Sequence, residues 1–293
     1  MSAWLGVAQQ ISQATGRIFT PRAAHLRRSQ LNGTAVLDDG ERSFFVKSNT
    51  ADAIDMFRAE AAGLDALAST CTVRVIRPVC WGVADGRSFL VLEHVILEER
   101  TEAMDTDLGR SLAALHARHG VCFGWDRDNT IGTTPQPNAP GQNWQDFWKD
   151  KRLSYQLRLA ARNGYNGRLQ ELGAAVLTRL SALFSGYRPA PSPLHGDLWS
   201  GNAAGCDGRA IVYDPAFYYG DRETDLAMTE LFGGFSPAFY AAYQEAYPLD
   251  QGYEVRKTLY NLYHVLNHLN LFGGGYLGQA ERLMARLVAE TGT

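Results

Sequence analysis

Asp197 and Asn202 stand five positions apart in the stretch LHGDLWSGN, and Asp214 follows twelve residues later, at the end of the apolar run AIVYD. Two glycines and a tryptophan make the first stretch a poor helix and a poor strand. Two carboxylates and an amide grouped in this way suit phosphoryl transfer from ATP. That chemistry needs Mg²⁺, a hard cation that takes oxygen ligands such as a carboxylate and an amide. It also needs a carboxylate beside the acceptor hydroxyl, to orient it and take its proton. One loop carrying Asp197 and Asn202 could meet both needs, with Asp214 on the next strand as second metal ligand. Asp and Asn also form turns and caps by habit, but His195-Gly196-Asp197 followed by Asn202 and a strand-end Asp is a more specific pattern.

A second pair of charges lies close to apolar faces. Lys47 closes the strand-like run SFFVK on the face of Phe45, and Glu60 lies thirteen residues later between Phe57 and Leu64 of a helical pattern. Each charge alone would be costly there, and pairing them offsets that cost. In a nucleotide site the glutamate orients the ammonium, which contacts the α- and β-phosphates. The competing reading is a solvated lysine and a solvated glutamate, the commoner fate of both types. The run LVLEHV ends on Glu93, His94 and Val95. Its place between a β-rich and a helical region would let backbone groups there meet an adenine edge.

The elements that must position these groups follow from periodicity. Trp4, Ala8 and Ile11 recur at helical spacing, so a short amphipathic helix opens the chain. TAVLDDGERSFFVK reads as a hairpin turned at Asp39-Gly40. DAIDMFRAEAAGLDALAS puts Ile54, Phe57, Ala61, Leu64 and Leu67 on one helical face. TVRVIRPV, VCWGV and SFLVLEHV read as strands, with ADGR turning between the last two. DLGRSLAALHAR reads as helix. RDNTIGTTPQPNAPGQN, rich in Pro, Gly and Asn, reads as a long loop without regular structure. Helical segments follow at about 144–161 and 168–184, and the chain after AIVYD reads as helical almost to its end. The expectation is a small β lobe over residues 1–95 and a larger helical lobe over 96–293.

Bulk composition excludes several classes. The 293 residues carry a net charge of −3, so no general basic field draws nucleic acid or anionic membrane. No apolar run approaches the roughly 18 residues of a membrane span, and the first residues do not read as a signal peptide. Four scattered cysteines, Cys71, Cys80, Cys122 and Cys206, show no metal-ligand spacing. These features favour a reducing, cytoplasmic setting.

Other motifs fail on context. Gly273, Gly275 and Gly278 match the dinucleotide fingerprint, but helical LNHLNLF stands where a strand is required, so the glycines read as a helix terminus. No glycine precedes a lysine, which excludes a Walker A loop, and no G-x-S-x-G elbow occurs. Asp126, Asp128 and Thr130 begin like a calcium loop whose glycine is displaced by one position. His264 and His268 have the spacing of a zinc pair but no glutamate beside His264, and read as core or groove residues. Asp225 in GDRETDLAM reads either as a first-turn carboxylate favoured by the helix dipole or as a brace for the catalytic loop.

The chain resembles the fructosamine kinase (ketosamine-3-kinase, protein-ribulosamine 3-kinase) family, within the protein-kinase-like small-molecule kinases. The resemblance spans essentially the whole chain, through FFVK, MFRAEAAGLDAL, FLVLEHV, IGTTPQPN, LHGDLWSGN, DPAFYYGDRETDLAMTELFGGF and LYNLYHVLNHLNLFGGGY. It implies an α+β, protein-kinase-like two-lobe fold: a small antiparallel β lobe with one key helix, and a larger, mostly helical lobe. It implies that Asp197 is the catalytic base, that Asn202 and Asp214 hold Mg²⁺, and that Lys47 and Glu60 form the ATP-phosphate pair. Glu93, His94 and Val95 would be the nucleotide hinge. The reaction implied moves the γ-phosphate of ATP to the 3-hydroxyl of a ketoamine, a ribulosamine or fructosamine adduct on lysine, free or protein-bound, in deglycation.

One stretch departs from the family. The phosphate loop before the lysine strand usually bears glycines, and here HLRRSQLNGTAV keeps only Gly33. Fewer glycines limit how closely backbone N–H groups approach phosphates; Arg27, Arg28 or Ser29 either compensate or are surface residues. For the acceptor, candidates lie in GWDRDNTIGTTPQPN, AFYYGD and YNLYHVLNHLN, with Asn267, His268 and Asp197 to meet hydroxyls. Tyr260, Tyr263 and Leu266 read as helix-packing residues. Two competing readings are a kinase of another hydroxylated amine, aminoglycoside or choline, and a non-catalytic kinase-like module. A strongly acidic acceptor pocket would mark the first.

Overall fold

The computed structural model describes residues 4–28 and 33–292. Five antiparallel strands, β1 (Ala23–Arg28), β2 (Gly33–Asp38), β3 (Ser43–Thr50), β4 (Pro78–Ala84) and β5 (Arg87–Glu93), form one sheet in the order β1-β2-β3-β5-β4. Helix α1 (Leu5–Thr15) buries Val7, Ala8 and Ile11 and packs on β4. It comes so close that a Cβ on Gly6 would lie 2.7 Å from that of Ala84. Helix α2 (Ile54–Ser69) turns Phe57, Leu64 and Leu67 into a core shared with Leu90 and Leu92 of β5. The β4–β5 turn at Asp85-Gly86 has positive φ at both residues, 51° and 75°, as a two-residue hairpin requires. At Asp39-Gly40 only the glycine does; Asp39 instead caps a wider turn, its Oδ1 accepting from the N–H groups of Glu41 and Arg42. The run expected as a strand from Thr72 contributes only a parallel bridge from Val75 to Val212, and pairing begins at Pro78.

The chain leaves the sheet at Glu93 and becomes mostly helical. Helix α3 (Glu102–His116) is capped by Thr101, whose hydroxyl accepts from the Met104 N–H. The Pro- and Asn-rich stretch is not irregular throughout. It holds a small hairpin, β6 (Asn129–Ile131) and β7 (Thr134–Gln136), turned at Gly132 with φ 63°. A short α4 (Trp144–Phe147) runs through a π-helical turn (Trp148–Leu153) into α5 (Ser154–Arg162), and α6 (Arg168–Arg179) follows. Then come β8 (Ser192–Leu194), β9 (Ala203–Cys206), β10 (Arg209–Val212) and β11 (Tyr218–Gly220), with β9 paired to β10 and β8 to β11. The β11 strand stands in a segment that periodicity assigned to helix; three residues are too few for a period to register. Helices α7 (Glu223–Leu231), α8 (Pro237–Ala246), α9 (Tyr253–Phe272) and α10 (Leu277–Glu290) complete the chain. Gly273, at φ 93°, ends α9, so the glycine triplet is a helix terminus. Among the described residues no helix is long and apolar enough to cross a membrane.

One apolar cluster runs from α2 and β5 through Leu108, Leu198, Phe217 and Leu226. The segments that carry Glu60, Asp197 and Asp225 therefore share a continuous core.

Candidate active site

The loop between β8 and β9 is shaped by hydrogen bonds from below. Gly196 has φ 81°, and a Cβ there would lie 2.1 Å from the Ala216 carbonyl oxygen, so only glycine fits. The His195 and Gly196 N–H groups donate to the two carboxylate oxygens of Asp225, at 2.7 and 2.8 Å. Asp225 is thus the brace, not simply a first-turn residue. His116, wholly buried, meets the same carboxylate at 3.2 Å and the Tyr243 hydroxyl at 2.8 Å. Burial alone would raise the Asp225 carboxyl; the His116 hydrogen bond, with His195 and the Gly196 N–H beside it, holds it below its ordinary value. Burial pushes His195 down, and its neutral ring fits its contacts: Nδ1 accepts from the Asp197 N–H and Nε2 reaches the Tyr213 carbonyl at 3.0 Å.

Asp197 comes next, with Leu198 buried beneath it. The Asn202 side-chain nitrogen donates to the Asp197 carbonyl at 2.9 Å and to its Oδ2 at 3.2 Å. Burial, then the nearby Asp214 charge, raise the Asp197 carboxyl to about 7, against the Asn202 hydrogen bond. Asp214 lies two residues past β10 rather than on it, at φ 58°, which turns its carboxylate back into the cleft. There the buried Lys47 ammonium, in mid-strand on β3, meets Asp214 at 2.7 Å and Glu60 at 2.6 Å. Burial would lower this lysine, but the Asp214 and Glu60 charges outweigh it and raise it well above its ordinary value.

Three cavities adjoin along this line. The first, about 300 Å³, is lined by Phe45, Ile76 and Leu92 with Glu93, His94 and Val95, and opens onto Lys47 and Asp214. The Glu93 carboxylate accepts from the Arg77 N–H and the His94 ring meets the Ser43 hydroxyl, so those two side chains serve the sheet. The second, about 230 Å³, holds Lys47, Glu60, Asp197, Asn202 and Asp214 against Asn129, Thr130 and Gly132. The third, about 310 Å³, shares Asp197, Trp199 and Gly132 with the second and adds Phe232, His264, Asn267 and His268. Every site residue expected from the sequence thus lines one of these adjoining cavities. His264 and His268 line the third, and among the described residues no group of three or more His, Cys, Asp and Glu could hold a metal. Asp126 and Asp128 are engaged with Arg127 and the Asn138 N–H, not a calcium loop. Arg27 and Arg28 stand on β1, and Ser29 falls outside the described residues.

Sequence reasoning missed His116 and Arg100. Arg100 donates to the carbonyls of Ala203 and Gly234 and pairs with Asp105, tying the loop's exit to α3. Neither belongs to a motif; only the fold brings them close.

The donor set suits a hard cation. Asn202 commits its amide nitrogen to Asp197, which leaves its oxygen, and the Asp214 side chain is 44% exposed with one oxygen on Lys47. One or two protein oxygens plus phosphate oxygens is how Mg²⁺ is usually held.

A buried lysine held between two carboxylates, a braced aspartate, and amide and carboxylate oxygens open to the same slot are the groups a kinase-like enzyme would need. The fructosamine kinase family model matches residues 3–290. This chain belongs to the fructosamine kinase family. A probable ketoamine kinase of Synechocystis sp. is 48% identical over 287 residues, covering 96% of this chain and 95% of that protein. The chloroplastic protein-ribulosamine 3-kinase of Arabidopsis thaliana is 40% identical over 242 residues, 81% of this chain and 74% of that protein. A Haemophilus somnus protein assigned by name to the fructosamine-3-kinases superposes with TM-score 0.91 at 30% identity, covering 97% of each chain. An aminoglycoside phosphotransferase, at TM-score 0.62 and 14% identity over 98% of this chain and 100% of that one, shares the fold alone. The fold is therefore protein-kinase-like, with an antiparallel sheet lobe and a helical remainder. As a fructosamine kinase family member the protein is a phosphotransferase acting on a hydroxyl acceptor, and its fold implies use of ATP.

Proposed function

We propose that this enzyme transfers the γ-phosphoryl group of ATP to the 3-hydroxyl of a ketoamine, a ribulosamine or fructosamine adduct on lysine, with Mg²⁺ as cofactor. The observation that carries the acceptor class is the third cavity's chemistry. Its sole carboxylate is Asp197, and around it stand aromatic rings, the Asn267 amide and two imidazoles. Burial pushes the His264 imidazole down to about 3, so it stays neutral. Such a site offers sugar hydroxyls hydrogen bonds and covers their carbon face, but provides no cluster of negative charge for a polycationic aminoglycoside. The ribulosamine and ketoamine names of the relatives support the same class.

In this reading Asp197 accepts the proton of the acceptor hydroxyl as that oxygen bonds to the γ-phosphorus. The bond from phosphorus to the β–γ bridging oxygen breaks, and ADP departs with that electron pair. Lys47, held by Glu60, binds the phosphates; the apolar first cavity takes the base against the backbone of residues 93–95. Asn202 and Asp214 would hold Mg²⁺, which supplies positive charge against the phosphate oxygens. A 3-phosphate makes the adduct labile, so the role assigned is deglycation, in a reducing cytoplasm where the four free cysteines stay unpaired.

The test is ATP consumption with ribulose-lysine, fructose-lysine, an aminoglycoside and choline as acceptors. One added phosphate on a ketoamine by mass spectrometry, placed on carbon three by NMR, is expected. Transfer to choline or an aminoglycoside with none to any ketoamine would overturn the acceptor class and leave the kinase fold standing.

A further inference from the structure

Arg152 is fully buried, yet its hydrogen-bond partners are all neutral. Its two terminal nitrogens donate to the Pro137 carbonyl and to the Asn138 side-chain oxygen, each at 2.7 Å, with a weaker contact to the Lys151 carbonyl. Its Nε has no partner, and its guanidinium lies over the Tyr218 ring at 4.1 Å and the Phe147 ring at 4.8 Å. A buried cation without a carboxylate is an expensive arrangement. It also stands in the π-helical turn, a rare geometry that recurs at functional sites.

What the guanidinium grips leads to the slot. Asn138 and Gln136 both donate to the Asn129 side-chain oxygen at 2.8 Å, and Asn129 donates to the Phe217 carbonyl at 2.8 Å. Tyr263 of α9 closes the network on Gln136 at 2.6 Å. All these side chains are buried. The network therefore fastens the β6–β7 hairpin to the segment just after Asp214 on one side and to α9 on the other. On its far face the hairpin presents Asn129, Thr130 and Gly132 to the second cavity, and Ile131 and Gly132 to the third. Its β6 strand also packs against α2, which carries Glu60.

We propose that Arg152 is a positioning residue for the transfer: acting through Asn138, it fixes the β6–β7 hairpin as a rigid partition where the phosphate and acceptor cavities meet. This rests on the reading of those cavities given above. The partition sets the register of the acceptor hydroxyl on Asp197, while the adenine cavity, which the hairpin does not line, is untouched. The planar guanidinium spans two acceptors on adjacent residues, which a lysine ammonium cannot reproduce with the same geometry.

The test compares Arg152→Lys, Asn138→Ala and their double variant with the wild type. For the acceptor, KM should rise and kcat fall, with kcat/KM down about 30-fold in each single variant, while Mg-ATP affinity stays within about twofold. The double variant should be no worse than the worse single one, since both cut one connection. Gly132→Ala, which strains φ 63° and pushes on Leu271, moves the hairpin tip without touching Arg152 and should give the same split even if Arg152→Lys fails to fold. Acceptor kcat/KM within about threefold of wild type in Arg152→Lys or Gly132→Ala, or equal losses in ATP and acceptor binding, would overturn the proposal. If the wild type prefers another hydroxylated amine, the acceptor class fails but the same ratios, measured on that amine, still decide. If it phosphorylates none, hydrogen exchange decides: β6–β7 amides should exchange faster in Arg152→Lys while α10 amides do not, and unchanged protection would refute the clamp.

Discussion

The Lys47 ammonium lies 2.7 Å from the Asp214 carboxylate, although 167 positions separate the two residues in the chain. Lys47 is nearly closed off from solvent, as is its other partner Glu60, whereas almost half of the Asp214 side chain is open. In the proposed reading, an incoming phosphate would compete for the ammonium on the Asp214 side while Glu60 holds it in place.

Replacing Lys47 with Met should lower kcat/KM for ATP by about 100-fold and also destabilise the fold by about 3 kcal/mol, because Glu60 is left as an unpaired buried carboxylate. Adding Glu60→Gln should restore much of the stability and none of the activity. Urea unfolding and steady-state kinetics on both variants read the two effects separately; recovery of activity in the double variant would remove Lys47 from the phosphate site.

Asp197→Asn should cut turnover by about 1,000-fold, within the range that a positioned base contributes. Melting temperature should hold or rise slightly, since the change removes a carboxyl whose ionisation burial opposes. Mg-ATP should still raise that temperature. Near-normal turnover would assign the base elsewhere.

Metal dependence should follow Asp214. In the wild type, ATP should raise the melting temperature with Mg²⁺ present and much less with EDTA. Asp214→Ala should show the small shift in both conditions and lose activity, because Asn202 alone is a neutral ligand. A magnesium-dependent shift of wild-type size in the variant would move the ion away from this carboxylate.

Asp225→Asn should weaken both fold and catalysis. An amide has one acceptor oxygen, so one of the His195 and Gly196 N–H groups would face an NH₂ instead. The cost expected for one buried, unsatisfied donor is about 1–3 kcal/mol, with turnover reduced as the Asp197 loop loosens. Denaturant unfolding at unchanged turnover, or the reverse, would separate the brace from the chemistry.

The stability contributed by Glu223 should fall as pH rises from about 4.5, the ordinary glutamate value, to about 7, against the opposite trend of the buried imidazoles. Burial raises the Glu223 carboxyl to about 7, Arg256 opposes the rise, and the neighbouring Asp221 charge adds to it. The folded state therefore keeps a proton on this buried pair that the unfolded chain releases, so the contribution is whole below the ordinary value and lost through that window. Relative to the wild type, Glu223→Gln should shift the slope of melting temperature against pH upward over that range; an identical slope in both proteins would show that Glu223 does not hold the proton.

The chain's local patterns already contained the two-lobe plan, the Lys47–Glu60 pairing and the Asp197, Asn202 and Asp214 group, because each is written in short-range terms: period-two strands, an apolar stripe on α2, and polar residues held within one loop. The same patterns left Asp225 with two readings. They placed the start of a strand at Thr72 in TVRVIRPV, where only a single bridge forms before pairing begins at Pro78, and no strand at β6, β7 or β11, whose three-residue length carries no period. Tertiary structure alone decided what Asp225 braces, since its role depends on N–H groups thirty positions back in the chain. It also decided the charge of the third cavity, because Asp197, Phe232 and His268 come from three separated segments. Arg152 is the extreme case: in the sequence it is one basic residue of a helical run, and only burial against neutral partners gives it a grip on the hairpin that walls the site. Long-range contacts of this kind depend on how the elements pack, and no spacing along the chain encodes them.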